Sequence, residues 1–339
     1  MADSNRLPGP RAERPRVLSG IRPTGESFQL GNYVGAVRHW APMQDENECF
    51  FFLADLHALT ETPEPERLRR RTREAVAELL AMGVDPVRSA VFAQSHRPEH
   101  AELSWILSCL TSFGEASRMT QFKEKGGGTV GLFTYPVLQA ADILMYQANA
   151  VPIGEDQRQH LELTRDVAQR FNGRYGQTFT LPGAYAGRPG DRIKDLQDPT
   201  RKMSKSIGGP GTIWVLDEPT VVTKKVKSAV TDTGREVRAA EDKPGVTNLL
   251  MILSAVTGTP VPALESAYEG KGYGDFKADV AAAVVELFAP VRARYAELIA
   301  DPGHLDRVLA DGAARAGRVA ATTMTLVRDR VGLLAPRRD

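Results

Sequence analysis

Between Arg16 and Ala93, short apolar runs alternate with stretches of helical periodicity, and that alternation leaves few architectures open. Arg16-Val17-Leu18-Ser19 predicts a first strand, stopped by Gly20. Cys49 to Ala54 is apolar without a break, as a strand covered on both faces must be. Ala90-Val91-Phe92-Ala93 has the same character. Between these runs lie a helix from Tyr33 to Met43, with Val34, Val37 and Ala41 on one face, and a second carrying Leu68, Val76, Leu79 and Leu80. Thr62-Pro63 is the expected cap and first position of that second helix, and Gly83 its end. Strands that alternate with helices pair in parallel, so the expected fold is α/β with a doubly wound sheet. Ligands of such sheets bind beyond the carboxyl ends of the strands, and the turn-rich loop from Gly20 to Asn32 follows the first strand at such an end.

Beyond about residue 215 helical periodicity dominates, over Pro219–Val230, Asn248–Val256, Phe276–Leu298 and Leu305–Val331. The expected organisation is a disordered tail at residues 1–15, an α/β domain at 16–210 and a helical domain at 211–339. Gly208-Gly209-Pro210-Gly211 forms the joint.

Composition narrows the class. A chain with 42% hydrophobic and 25% charged residues can build a packed core. No apolar run approaches the roughly 20 residues that span a bilayer, and Met1–Pro15 lacks the apolar centre of a signal peptide. A cytoplasmic enzyme that does not enter membranes is the expectation. The net charge of +1 gives no general attraction for nucleic acid, so an RNA partner would have to be held by local patches. The two cysteines, Cys49 and Cys109, exclude a disulfide framework and a structural zinc site, and their apolar neighbours predict small core residues. No side-chain metal site is expected.

Lys202-Met203-Ser204-Lys205-Ser206 carries the most specific chemistry. Two ammonium groups and two hydroxyls in a loop bounded by Pro199 and a glycine-rich joint can follow the charge that builds on a leaving pyrophosphate. The string is similar to the KMSKS signature, here at 202–206, of class I aminoacyl-tRNA synthetases. Their partner signature, HIGH, follows the first strand, and the matching tetrapeptide here is Gln29-Leu30-Gly31-Asn32, about 170 residues upstream. Gly31 would admit the nucleotide close to the backbone, and Asn32 would offer a polar side chain at a helix start. Gln29 stands where His or Thr is familiar; its amide can donate to a phosphate but carries no charge. Ser19–Gly25, Asp55–Ala58, Met119–Lys125, Tyr135-Pro136 with Ala140–Leu144, Val151–Gln157, Ser228–Asp232 and Glu269–Gly274 resemble segments of bacterial tryptophanyl-tRNA synthetases. The resemblance runs from about Val17 to Val331.

It implies a class I synthetase-type, Rossmann-like catalytic domain followed by a C-terminal α-helical domain that binds the anticodon. It also implies ATP and Mg²⁺, L-tryptophan and tRNA(Trp) as partners, and a homodimer. By resemblance, Asp142 accepts the indole N–H; Tyr135, Glu155 and Gln157 hold the amino and carboxylate end. Leu18, Gly20, His57, Gln139, Val151 and Ile153 complete the tryptophan pocket. Lys125 reaches the phosphates from a segment containing Gly126-Gly127-Gly128, and Asp156, beside Gly154, holds the ribose. Lys202 and Lys205 follow the pyrophosphate, with Met203 and Ser204 between them. Arg22 stands where Gln is common and adds a cation beside the nucleotide.

Plainer readings stand beside these. Asp142 could cap or pair within an apolar helix, and His57 could be a satisfied core histidine. Arg67, Arg69, Arg70, Arg71 and Arg73 could be a solvated helix face instead of a contact for tRNA phosphates. A tyrosine-specific synthetase shares both signatures, a small-molecule nucleotidylyltransferase shares the first, and a non-catalytic paralogue that binds RNA or protein would share the fold.

Overall fold

The structure, a computed structural model, describes residues 14–119, 128–154, 157–185, 193–203 and 209–335. The expected tail lies outside the described residues as far as residue 13. Five parallel strands form the sheet: β1 (Arg16–Ile21), β2 (Glu48–Leu53), β3 (Ala90–Ala93), β4 (Ala150–Val151) and β5 (Gly183–Ala184). Their order is β3-β2-β1-β4-β5, so the direction of winding reverses between β1 and β4. The helices of the first half are α1 (Leu30–Asn32), α2 (Arg38–Glu46), α3 (Asp55–Ala58), α4 (Pro65–Ala81), α5 (Glu99–Ser108), α6 (Phe113–Ser117), α7 (Val130–Met145) and α8 (Arg158–Tyr175). A π-helical turn, Tyr33–Val37, joins α1 to α2. The second half supplies α9 (Pro219–Lys227), α10 (Pro244–Thr257), α11 (Val261–Ala267), α12 (Tyr273–Ile299) and α13 (Pro302–Val331).

The unbroken apolar runs are explained by the two cores that they feed. Cys49, Phe51 and Leu53 point into one, with Trp40 and the helices of the second half; Phe50 and Phe52 point into the other, with α5, α7 and α8. Side chains alternate across a strand, so a strand buried on both sides has no polar position to spare.

Three local expectations change. Gly20 does not stop the first strand: it pairs with Phe52, and β1 runs on to Ile21. The cap of α4 is Glu64 with Pro65 at the first turn, not Thr62-Pro63; Thr62 adopts a left-handed φ of 45° in the turn before it. Cys49 is buried, and burial pushes its thiol up to about 12, but Cys109 is exposed at the end of α5 instead of lying in a core.

The helical second half has no strand among its described residues, and it is not walled off from the sheet. The first turns of α13 (Leu305, Val308, Leu309) join the core of α9–α12, whereas Ala313, Ala316, Ala320 and Met324 join the core of α5–α8. In between, α13 crosses the edge strand: a Cβ at Gly312 would stand 1.9 Å from the Val91 carbonyl oxygen. Arg315 caps the approach by donating to the carbonyls of Pro86, Val87 and Ser89 at 2.9–3.0 Å. The helix thus covers an edge that would otherwise be open to pairing.

Candidate active site

A cavity of about 580 Å³ opens at the carboxyl ends of the central strands, on the side where the winding reverses. One wall is β1: Leu18, Ser19, Gly20 and Ile21. Gly20 is paired with Phe52 of β2, whose ring lies over it; a Cβ there would meet the ring at 2.4 Å. A second wall is α7, which presents Leu132, Tyr135, Gln139, Asp142 and Ile143. Val151, Pro152 and Ile153 close the end beyond β4, and Gln157 follows them.

Asp142 is the floor. It is 1% exposed, and its carboxylate is held by three donors from three elements. Oδ1 accepts from Gln94 Nε2 at 2.7 Å and from His100 Nδ1 at 2.6 Å; Oδ2 lies 2.8 Å from His57 Nε2. The Tyr146 hydroxyl, 2.9 Å from His100 Nε2, completes the chain: with its proton on Nδ1, His100 donates to Asp142 and accepts from Tyr146. Burial alone would raise the Asp142 carboxyl, but the hydrogen bonds from His100 and His57 outweigh it and hold it down to about 2. Burial, with the nearby Asp142 charge, pushes Tyr146 up, so its hydroxyl keeps its proton. A carboxylate offers about four acceptor positions. Oδ1 takes two of the three donors here and Oδ2 one, on a group that lines the cavity. Above it, Tyr135 bonds His160 at 2.8 Å and Gln139 donates to Gln157 at 3.3 Å, which gathers polar groups at the upper end.

The opposite side is the turn Gln29–Asn32, built from behind by buried charge. Glu78 of α4 accepts from Ser27 Oγ (2.6 Å) and the Phe28 N–H (2.8 Å), and its other oxygen takes Arg71 at 3.0 Å. Arg71 is therefore interior, which corrects the solvated reading at that position. Arg73 pairs with Asp306 of α13, while Arg67, Arg69 and Arg70 are exposed. The Leu30 N–H donates to the Ile213 carbonyl, and the Val215 N–H to the Phe28 carbonyl. Arg22 reaches Glu61 at 2.6 Å on the rim.

Most of the expected residues converge. Leu18, Gly20, His57, Tyr135, Gln139, Asp142, Val151, Ile153 and Gln157 line the same cavity as Arg22, Gln29, Asn32, Lys202 and Met203. Gly31 and Gly154 do not line it, and the amide of Gln29 covers the bare face of Gly31. Lys125, Glu155, Asp156, Ser204 and Lys205 lie outside the described residues. Gln94, His100 and Tyr146 were missed. For Gln94 a signal existed, since it directly follows β3 at the ligand-binding end of the sheet; for His100 and Tyr146 nothing in the sequence separates them from ordinary core polar groups.

The family described as tRNA synthetases class I (W and Y) matches residues 11–289. The chain belongs to that family. A tryptophan--tRNA ligase 2 of Streptomyces avermitilis is 57% identical over 95% of this chain and 98% of its own. Among solved structures, a tryptophanyl-tRNA synthetase from Mycoplasma pneumoniae superposes with a TM-score of 0.87 at 37% identity, covering 95% of this chain and 98% of that one. That from Campylobacter jejuni, complexed with ADP and tryptophan, superposes at 0.80 with 35% identity, covering 94% and 100%. Within the family, the chain's place is among the bacterial tryptophan--tRNA ligases.

Proposed function

We propose that this chain activates L-tryptophan with ATP and transfers it to tRNA(Trp), and that the cavity between β1 and α7 is where activation occurs. The observation that carries the reading is the Asp142 carboxylate: buried, bonded to three donors and lining the cavity, with fewer partners on Oδ2 than on Oδ1. An indole N–H is the donor that Oδ2 suits. Tyr135, Gln139 and Gln157 take the amino and carboxylate end, joined in our reading by Glu155. The carboxylate of tryptophan is already a nucleophile, so no protein base is needed. It attacks the α-phosphorus of ATP in line; its oxygen bonds to phosphorus as the bond to the bridging oxygen of pyrophosphate breaks. Lys202, joined in our reading by Lys205 and Lys125, meets the charge that moves onto the pyrophosphate. Asn32, Arg22 and Asp156 complete the nucleotide site. In the second step the terminal adenosine hydroxyl of the tRNA attacks the mixed anhydride and AMP leaves.

Mg²⁺, when bound, would supply charge neutralisation at the nucleotide's phosphates. Among the described residues, no group of three or more His, Cys, Asp or Glu is placed to hold it. The helices from α9 onward are assigned to the anticodon. A homodimer is supported by an apolar surface on adjoining helices: Trp105 of α5, Phe113 of α6 and Val130 of α7 are 72–78% exposed, and Phe113 packs on Phe133 of α7. We assign the enzyme to the cytoplasm; no single described helix is long and apolar enough to cross a membrane. The test is ATP-dependent attachment of labelled tryptophan to bacterial tRNA by the purified chain. Charging of tRNA(Trp) is the expected result, and failure to charge any tRNA would overturn the reading.

A further inference from the structure

The side chain of Gln29 is 3% exposed, and both ends of its amide are engaged. Oε1 accepts from the Gly31 N–H at 2.6 Å, within its own turn. Nε2 donates to the carbonyl of Met203 at 2.9 Å, across 174 residues of sequence. The position is prepared for this. Gln29 is bridged to Trp214 through its backbone, so the side chain starts from a fixed base. Gly31 is bare where the amide lies: a Cβ would come within 2.7 Å of Oε1. Met203 is held at its other backbone group too, its N–H donating to Ile193 at 3.1 Å. Lys202, just before it, is bridged to Lys194, whose backbone is gripped at both N–H and C=O by the buried amide of Asn248, at 2.8 and 3.0 Å.

We infer that Gln29 is a positioning residue: it ties the Gln29–Asn32 turn to the backbone of Met203 and so sets where the neighbouring Lys202 stands relative to the nucleotide. The inference rests on the proposed function. An interaction that matters through placement is paid back in the transition state, where lysines aligned with the leaving pyrophosphate count most. A residue here must accept at one end and donate at the other. Glutamine does both, and so does a neutral histidine, whose two ring nitrogens divide the roles. Methionine fills the same volume and does neither.

The test compares Gln29→Met and Gln29→His in tryptophan-dependent ATP–pyrophosphate exchange, with thermal midpoints alongside. Gln29→Met should lower kcat by about ten- to hundredfold with little change in the KM for ATP, the range that small misplacements produce. Gln29→His should recover most of that loss. Gln29→Ala gives the same reading if the thioether does not fit. A raised KM for ATP with kcat preserved would make Gln29 a direct nucleotide ligand and overturn the proposal. A histidine variant no better than methionine would overturn it too, as would unfolding of both the methionine and the alanine variants, which would make Gln29 a brace for the fold. Absence of exchange in the unsubstituted protein would strike the proposed function instead.

Discussion

Asp142→Asn keeps the shape of the buried side chain and removes its charge, which lets stability and recognition be read separately. In the folded chain the carboxyl is held down to about 2, because the hydrogen bonds from His100 and His57 outweigh the upward push of burial. An unfolded aspartate titrates near about 3.9. A depressed folded-state value adds stability that is complete above the unfolded value and is lost as pH falls through the folded one. For a shift of this size the contribution at neutral pH is about 2–3 kcal/mol. Urea unfolding should therefore find the variant less stable by about that amount at neutral pH, with the gap closing between about pH 4 and about pH 2. Recognition should weaken as well. A hydrogen bond to a charged acceptor is worth about 1.5–3 kcal/mol and a neutral one about 0.5–1.5, so the specificity constant for tryptophan should drop by about five- to tenfold. The assay is pyrophosphate exchange at varied tryptophan, with the KM for ATP as the control that should not move. A stability gap that stays flat into acid would refute the ionised, hydrogen-bonded carboxylate. A lost gap with undiminished discrimination for tryptophan would leave Asp142 as a brace for His57 and His100, and another group as the reader of the indole.

Lys205→Ala should slow adenylate formation about a hundredfold, roughly 3 kcal/mol, with tryptophan binding little changed; single-turnover kinetics separates the two. Gly312→Ala should destabilise the fold by about 1–3 kcal/mol, because its methyl group would displace α13 from β3; an unchanged denaturation midpoint would contradict that crossing.

Where side chains alternate or repeat in a regular pattern, the architecture could be read from sequence. β2 is apolar at every position because Cys49, Phe51 and Leu53 enter one core while Phe50 and Phe52 enter the other. β4 and β5 were not legible. Two residues each, they have no period to read, and they are strands only because neighbours are already in place. The period of α13 announced a helix but not that its two halves serve different cores, since an apolar stripe does not name what covers it. The cap of α4 was misread because Pro63 and Pro65 offer the same local signal, and the left-handed turn at Thr62 decides between them. In the site, residues that carry motif chemistry, such as Asp142 and Lys202, were found on the cavity wall. The residues that hold them, Gln94, His100 and Tyr146 behind Asp142, come from remote segments and act through contacts that only the fold creates. Gln29, expected beside the nucleotide, lines the cavity with its amide bonded to Gly31 and Met203, contacts that its sequence position does not announce.

The central claim is that this cavity activates tryptophan. Exchange of labelled pyrophosphate into ATP by the purified chain, run with tryptophan and in parallel with tyrosine, tests it in one measurement. Exchange that depends on tryptophan and stays at background with tyrosine is the predicted result; equal exchange with both amino acids, or none with either, would contradict it.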